Sequence, residues 1–416
     1  LNLAISDADL RNRILFVLGA LIIFRLLAAI PVPGVDLVQL EQFFSNNQFF
    51  GFLNLFSGGG LANLSIVMLG VGPYITASII MQLLTMMSTR LKAMYQEDGE
   101  AGRAKFAQYT RMLAVPLAFM QAIAFLIILE RQGILPGLDM FQLVVNAMVV
   151  AAGSILLMWI GELITEFGIG NGVSLIIFGG IVAALPTTMA QLFFSFDPSQ
   201  IPLYAGFLLV AMVIIGAVVL VTEAERPIPI TYAKRVRGMK VYGGVSTYLP
   251  LRMNQAGVIP IIFALSILLF PQMILNFLSH LGNATIASSA ASALAVFSNP
   301  VVYAIIYFLL VVMFTYFYTA VTFDPTSISK NLQKNGAFIP GVRPGQTTSA
   351  FIERILVRIT LVGALFLGFI AVLPLGMQAV TNLTALAIGG TALLIVVSVV
   401  LDFIRKIDAQ LSIREY

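Results

Sequence analysis

The sequence predicts an all-α membrane protein with ten transmembrane helices in two inverted five-helix halves and one re-entrant half-helix. Three observations carry that prediction. The 416-residue chain is 59% hydrophobic and 10% charged, with a mean hydropathy of +0.97. A soluble domain cannot cover that much apolar surface, so the chain is polytopic. Its 23 Lys and Arg are confined to particular gaps between apolar runs, which fixes sidedness. One charge-free stretch is too long for a single crossing and is broken by glycines.

In order, residues 1–13 read as a short amphipathic cytoplasmic helix, with Asp7 and Asp9 early and Arg11 and Arg13 late. Span 1 runs over 14–30 and ends at Pro31 and Pro33. It is long and leads into the body of the chain, so no cleavable secretory signal is expected. Arg25 lies near its outer end and either snorkels to the interface or faces protein. Span 2 is expected over 71–87, span 3 over 112–129, span 4 over 143–160 and span 5 over 171–185. Span 6 follows over 202–221, span 7 over 256–274, span 8 over 301–321, span 9 over 359–375 and span 10 over 383–400. The single Trp, Trp159, falls near the inner end of span 4, as interfacial aromatics do.

All Lys and Arg except Arg25 and Arg131 fall at the termini, between spans 2 and 3, between spans 6 and 7, or between spans 8 and 9. These regions are expected inside, with both termini. The span 4–5 turn breaks the pattern, with Glu162 and Glu166 and no cation. The chain divides at the polar outer loop 191–201 into residues 1–190 and 202–416. Five spans per half is odd, so duplicated halves would be inverted, as in many transporters. The loops 222–255 and 322–358 are longer than connection requires, basic, and rich in Pro and Gly. They read as docking surfaces for a cytosolic partner, against the plainer reading of topology determinants attracted to anionic lipid.

The broken stretch is the most informative. From Gln42 to Thr89 about 48 residues carry no charge. Both flanks are basic and expected inside, and span 1 has already carried the chain out, so this stretch crosses once. The surplus must enter the membrane zone and leave on the same side. Gly58, Gly59 and Gly60 mark one break, and Gly70, Gly72 and Pro73 another. Between them Leu61 to Leu69 allows only ~13 Å of helix. Such a half-helix is tolerated where it lines a watery cavity, which is the reading that points to function, or where protein buries it as a re-entrant packing filler.

Catalytic constellations are missing. The chain has no Cys, and its one His, His280, falls in an expected outer loop. The spans hold no carboxylate pair and no metal-ligand set, so no catalytic residue, metal or cofactor is expected. No acidic residue or His sits at the centre of a span, where ion-coupled transporters place one. Val71 and Ile75, and again Val173 and Ile177, are four residues apart and share a helix face. Such stripes are ordinarily core and only sometimes line a pore. A secondary transporter of small solutes is the alternative function, and an intramembrane protease a more distant one.

The runs LNLFSGGG at 53–60 and GVGPYITASIIMQLL at 70–84 resemble the SecY family, the central subunits of bacterial protein-conducting channels. Further matches are GEAGRAKFAQYTR at 99–111, GELITEFGIGNGVSLIIFGGIVA at 161–183 and STYLPLRMNQAGVIP at 246–260. GAFIPGVRPG at 336–345 and ITLVGALFLG at 359–368 continue the series, in order and over nearly the whole chain.

The resemblance implies two inverted halves around an hourglass pore that passes unfolded polypeptides and releases apolar segments sideways between spans 2 and 7. The pore ring would be Val71, Ile75, Val173, Ile177, Ile262 and Ile395. A plug over about 55–69 would include Leu61, Ala62, Asn63, Leu64, Ser65, Ile66 and Val67. Thr76, Gln82 and Asn254 would mark the lateral gate, or simply pack between helices. Arg343, in the tip PGVRPG, would dock a partner, with Arg235, Arg237 and Lys240 as a weaker basic patch. The implied partners are the small membrane subunits SecE and SecG, the motor ATPase SecA, the ribosome, signal peptides and unfolded substrate chains, and membrane lipid. The implied location is the bacterial cell (inner) membrane, and the chain itself would hydrolyse nothing.

Overall fold

The computed structural model describes residues 7–32, 54, 57, 59–61, 63–96, 98–131, 135, 137, 139–194, 201–232, 235–237, 240–242, 246–279, 284–297, 299–381 and 384–414. Two compact units emerge. One comprises residues 1–209, 265–304 and 374–416, the other residues 210–264 and 305–373.

In the first unit, α1 (Ala8–Ala28) opens at Asp7, whose carboxylate accepts the Asp9 N–H at 3.0 Å. The helix expected over 1–13 is not separate in its described part, residues 1–6 lying outside the described residues. From Ala8 it runs directly into span 1, because no Gly or Pro interrupts the chain before Ile14. Next come α2 (Gly72–Met87), with Pro73 at its start where the missing N–H costs nothing, and the short α3 (Thr89–Gln96). The long α4 (Gly99–Arg131), α5 (Met140–Phe167) and α6 (Gly172–Phe194) follow. α4 packs on α2, α3 and α5, and α5 packs on α1, α2 and α6. Spans 3 and 4 are thus longer than expected, because their helices continue past the apolar runs into polar ends. α3 folds back onto α4, and its Met94 is buried together with Phe106 of α4 and Met81 of α2. Gly102 permits this, since a β-carbon there would lie 2.2 Å from the Met94 carbonyl oxygen.

The span 4–5 turn, odd in its charges, is explained by two contacts. Arg111 of α4 donates to Glu162 of α5 at 2.7 Å, supplying the missing cation from a neighbouring helix. Ile169 of the turn is buried with Leu10 of α1 and packs against Phe403, Ile407 and Leu411 of α13 (Thr384–Arg414). The two terminal helices and this turn therefore lie at one end of the unit, whatever the charges.

α7 (Ile201–Glu223) leads into the second unit, where residues 222–255 hold an antiparallel hairpin that the sequence reading treats only as a basic loop. β1 (Glu225–Tyr232) pairs with β4 (Ser246–Arg252), from Glu225 opposite Arg252 to Thr231 opposite Ser246. A smaller hairpin joins β2 (Arg235–Arg237) and β3 (Lys240–Tyr242). Over most of its length β1 has a neighbour on one side only, the setting in which Pro227 and Pro229 are tolerated in a strand. Then come α8 (Ile259–Ser279), α9 (Ala284–Phe297) within the expected outer loop, α10 (Pro300–Thr322), α11 (Pro325–Lys334), β5 (Ala337–Phe338) and α12 (Gln346–Thr381). Each of the ten expected spans overlaps one of these helices. α12 lies close on α10, with Phe308 and Phe369 edge to face at 5.3 Å. Phe308 also fills the space that a side chain on Gly368 would need.

Candidate functional site

The stretch between the glycine breaks is not a regular helix. The described residues of 59–71 run as successive turns, with left-handed backbone at Gly59, Leu64 and Gly70. A nine-residue helix has little cooperative stability to offer, and the backbone groups find partners elsewhere. The Ser65 N–H reaches back to the Gly60 carbonyl at 2.9 Å, and the Leu61 N–H to the Ser57 hydroxyl at 2.9 Å. Ser65 pairs with Pro31 in an isolated antiparallel bridge. On its two sides the Val32 N–H donates to the Leu64 carbonyl at 2.8 Å and the Ile66 N–H to the Ile30 carbonyl at 3.0 Å. Asn63 adds a side-chain bond to the Ala28 carbonyl at 3.4 Å.

This stretch is part of the unit's core. Leu61, Leu64, Met68 and Leu69 are buried in one cluster with Ala122, Phe125, Leu126, Ile128 and Leu129 of α4 and Ala147 and Val150 of α5. The stretch expected as a plug is packed against two helices. Of the seven plug candidates, Leu61, Leu64, Ser65 and Val67 are buried, Ile66 half-buried and Asn63 exposed. Ala62 lies outside the described residues. Of its two expected placements, Arg25 takes the one that faces protein. Its guanidinium reaches Gly59, where a β-carbon would sit 3.1 Å from Nη1.

Val71 immediately precedes α2 and Ile75 lies in its first turn, while Val173 and Ile177 occupy the first turns of α6. Both helix starts belong to helices packed on α5. Val71, Ile75 and Ile177 are buried, Val173 half-buried, and Ile395, on the α13 helix that packs on α6, is buried. Ile262, in the second unit's part of α8, is buried as well.

Glycine sets the approach of α6 to α5. A β-carbon on Gly172 would lie 1.8 Å from the Gly161 carbonyl oxygen. Thr165 ties the same turn, donating to the Gly161 carbonyl at 2.9 Å and accepting the Gly172 N–H at 2.9 Å. The Asn171 side chain caps α6 by accepting the Ser174 N–H at 3.2 Å.

The three gate candidates differ. Thr76 spends its hydroxyl on its own helix, donating to the Gly72 carbonyl at 3.0 Å. Gln82 donates to Ser78 at 3.3 Å, and its buried Oε1 has no partner among the described residues. Asn254, in the turn before α8, donates to the Gly257 carbonyl at 3.3 Å, and its buried Oδ1 likewise has no partner among the described residues. That turn is pressed onto α12 at Gly363, where a β-carbon would lie 2.4 Å from the Met253 carbonyl.

Arg343 stands exposed on a rigid tip. Ile339 is buried beneath it in a cluster with Ile228, Leu251, Ile352 and Ile355, and Val342 packs against the same cluster. Gly341 and Gly345 supply the left-handed backbone, with φ of 82° and 102°. Thr348 donates to the Arg343 carbonyl at 2.8 Å and Ser329 to the Gly345 carbonyl at 2.6 Å. Asp324 caps α11 behind the tip. Burial pushes its carboxyl up, but bonds from Thr326 and Ser327 outweigh this and hold it below the ordinary carboxylate value. A lowered folded pKa stabilises above the unfolded value, and the effect is lost as pH falls through the folded one. Asp324→Ala should therefore weaken α11 by ~1 kcal/mol at neutral pH. The difference from wild type, read by amide exchange in α11, should vanish in strong acid. The side chains of Arg235, Arg237 and Lys240 lie outside the described residues, as does His280.

The long apolar helices, of a length and composition that cross a membrane, define a membrane protein. A solved protein-conducting channel has this fold at a TM-score of 0.67 and 20% identity, covering 95% of this chain and 91% of that one. Sec61 in a canine ribosome–channel complex matches at 0.62 and 18% identity, covering 95% of this chain and 91% of that one. The SecY family model matches residues 65–404. The protein translocase subunit SecY of Mycobacterium leprae (strain TN) is 43% identical, over 99% of this chain and 97% of the relative. The chain belongs to the SecY family. It is a protein translocation channel subunit of the membrane, and the small-solute transporter alternative is not favoured.

Proposed function

We propose that the chain passes unfolded polypeptides through a pore ringed by Val71, Ile75, Val173, Ile177, Ile262 and Ile395, with 61–69 as the resting seal. The observation that carries this reading is the fate of the broken stretch. It is too short to cross, is turned back into the core, and leads directly into the buried Val71 and Ile75. A ring of branched alkyl groups offers ions no ligands and dewets readily. The halves 1–190 and 202–416 would be the moving parts, releasing apolar segments to lipid between spans 2 and 7. The oxygens of Gln82 and Asn254, without partners among the described residues, suit a seam whose polar contacts are made and broken in use.

The clustered terminal helices and the α5–α6 turn would face the cytoplasm of a bacterium, where the cations concentrate. Energy would come from a docked ribosome or SecA, with SecE and SecG as small membrane subunits, and the chain itself performs no hydrolysis. The Arg343 tip is the contact that tests this. Arg343→Glu removes no buried group, so the protein should assemble normally. Motor-driven translocation into vesicles should nevertheless fall roughly tenfold, as expected for reversing a charge at a docking contact. Unchanged translocation would remove the tip from the docking surface.

A further inference from the structure

We propose that Gly153 and Ser154 of α5 form the seat that registers the plug, and that the Pro31–Ser65 bridge is the latch that closes it. The proposal rests on the plug reading above and adds the residues that hold the plug shut.

Two independent contacts define the seat. Ser154, itself buried, donates to the Gly70 carbonyl at 2.7 Å, where the chain leaves the plug for α2. One residue earlier on α5, a β-carbon on Gly153 would lie 2.1 Å from the Ile66 carbonyl oxygen and 3.3 Å from Val67 Cγ1. The plug backbone therefore lies directly on the helix at Gly153, and no other residue leaves room for it. These positions hold the plug from the α5 side.

The latch holds it from the α1 side. Residues 30–32 and 64–66 exchange two backbone bonds around the Pro31–Ser65 pair. Ser65 is fully buried, and its hydroxyl has no hydrogen-bond partner among the described residues. Arg25 covers the turn at Gly59, one helical turn before Ala28, whose carbonyl Asn63 contacts. The plug is thus clamped between the end of α1 and the middle of α5 by a handful of backbone contacts. Each such bond has a net worth small enough to break and re-form in use. Opening requires leaving the Gly153 surface and breaking the bridge together, while the apolar side chains slide out of the α4–α5 cluster.

Four variants of the full chain, in its membrane complex reconstituted into vesicles, test this. Gly153→Ala places a methyl group where Ile66 rests and should raise the resting ion leak by roughly tenfold or more. Ser154→Ala removes one hydrogen bond and should raise it about fivefold. Gly19→Ala, in α1 where a β-carbon meets nothing within 4 Å, should leave the leak unchanged. The fourth variant pairs Pro31→Cys with Ser65→Cys. Opposed residues flanked by outward bonds have Cα atoms about 4.5 Å apart, within disulfide reach. The chain has no other cysteine. Oxidation should form the bond in the resting channel, stop translocation, and suppress the leak of Gly153→Ala, with reduction restoring both. Failure of the disulfide to form overturns the latch, a Gly153→Ala leak no higher than that of Gly19→Ala overturns the seat, and either leaves the plug reading standing. A fully oxidised channel that translocates normally shows that the plug need not move, and overturns the proposal and the plug reading together.

Discussion

Replacing Ile75 and Ile177 together with Gly should raise the ion conductance of the resting channel by on the order of tenfold or more, because hydrophobic constrictions gate by dewetting. Both side chains are fully buried, and each lies in the first turns of a helix packed against α5. Removing two branched side chains opens a void that water can enter, and wet helix ends present carbonyls that ions can use. Glycine also weakens a helix by about 1 kcal/mol per site, so loosening must be told apart from widening. The pair Ile75→Val and Ile177→Val retains branching and apolarity and should remain near wild type. Ile75→Ala with Ile177→Ala, which keeps helix propensity, should leak nearly as much as the glycine pair. Flux of a small anion from sealed vesicles reads all three. A glycine pair that assembles and does not leak would mean these side chains are core alone and line no constriction.

Much of this architecture was legible in the sequence, for identifiable reasons. Apolar runs of about twenty residues have one fate in a bilayer, so every expected span overlaps a helix. The broken stretch before Val71 was visible because glycines and the absence of charge are local signals. What it becomes was not, because its backbone partners are Ile30 and Val32, some thirty residues away in sequence. A half-helix and a chain of turns share the same composition, and only those partners decide between them. The hairpin of β1 and β4 left a weak trace in the alternation of buried Ile228 and Ile230. Prolines at 227 and 229 obscured it, since they ordinarily argue against a strand.

The candidate site follows the same division. Arg343 was conspicuous because prolines and glycines bracket it, whereas Thr348 and Ser329, which fix its backbone, are ordinary residues in ordinary settings. Gln82 and Thr76 looked alike as polar groups in an apolar helix. The structure separates them, since a threonine hydroxyl can reach its own helix backbone and a glutamine oxygen, lacking a hydrogen, cannot use a carbonyl. Gly153 carried no signal at all, being one small residue among several in a hydrophobic helix. Its importance lies in the Ile66 backbone resting against it.

Gly172→Ala should be among the most damaging single substitutions in the chain, although it adds one methyl group. That methyl would lie 1.8 Å from the Gly161 carbonyl oxygen, 2.7 Å from its carbon and 2.9 Å from Ile164 Cβ. The first two are backbone atoms within α5, which cannot rotate away as a flexible side chain would. The start of α6 must therefore retreat by an ångström or more. Retreat stretches the Gly172 N–H bond to Thr165 and displaces Val173 and Ile177, which follow within two turns. It also pulls on α13, which packs against α6 and carries Ile395. Overpacking of this kind typically costs about 1–3 kcal/mol even where side chains can adjust, and here the obstacle is backbone. The expected result is a lower thermal stability of the purified complex together with a raised resting leak. Thr165→Val removes the tie while leaving the glycine contact intact, and should cost stability by ~1 kcal/mol with little leak. A Gly172→Ala channel as stable and tight as wild type would show that α5 and α6 do not approach as closely as their glycines allow.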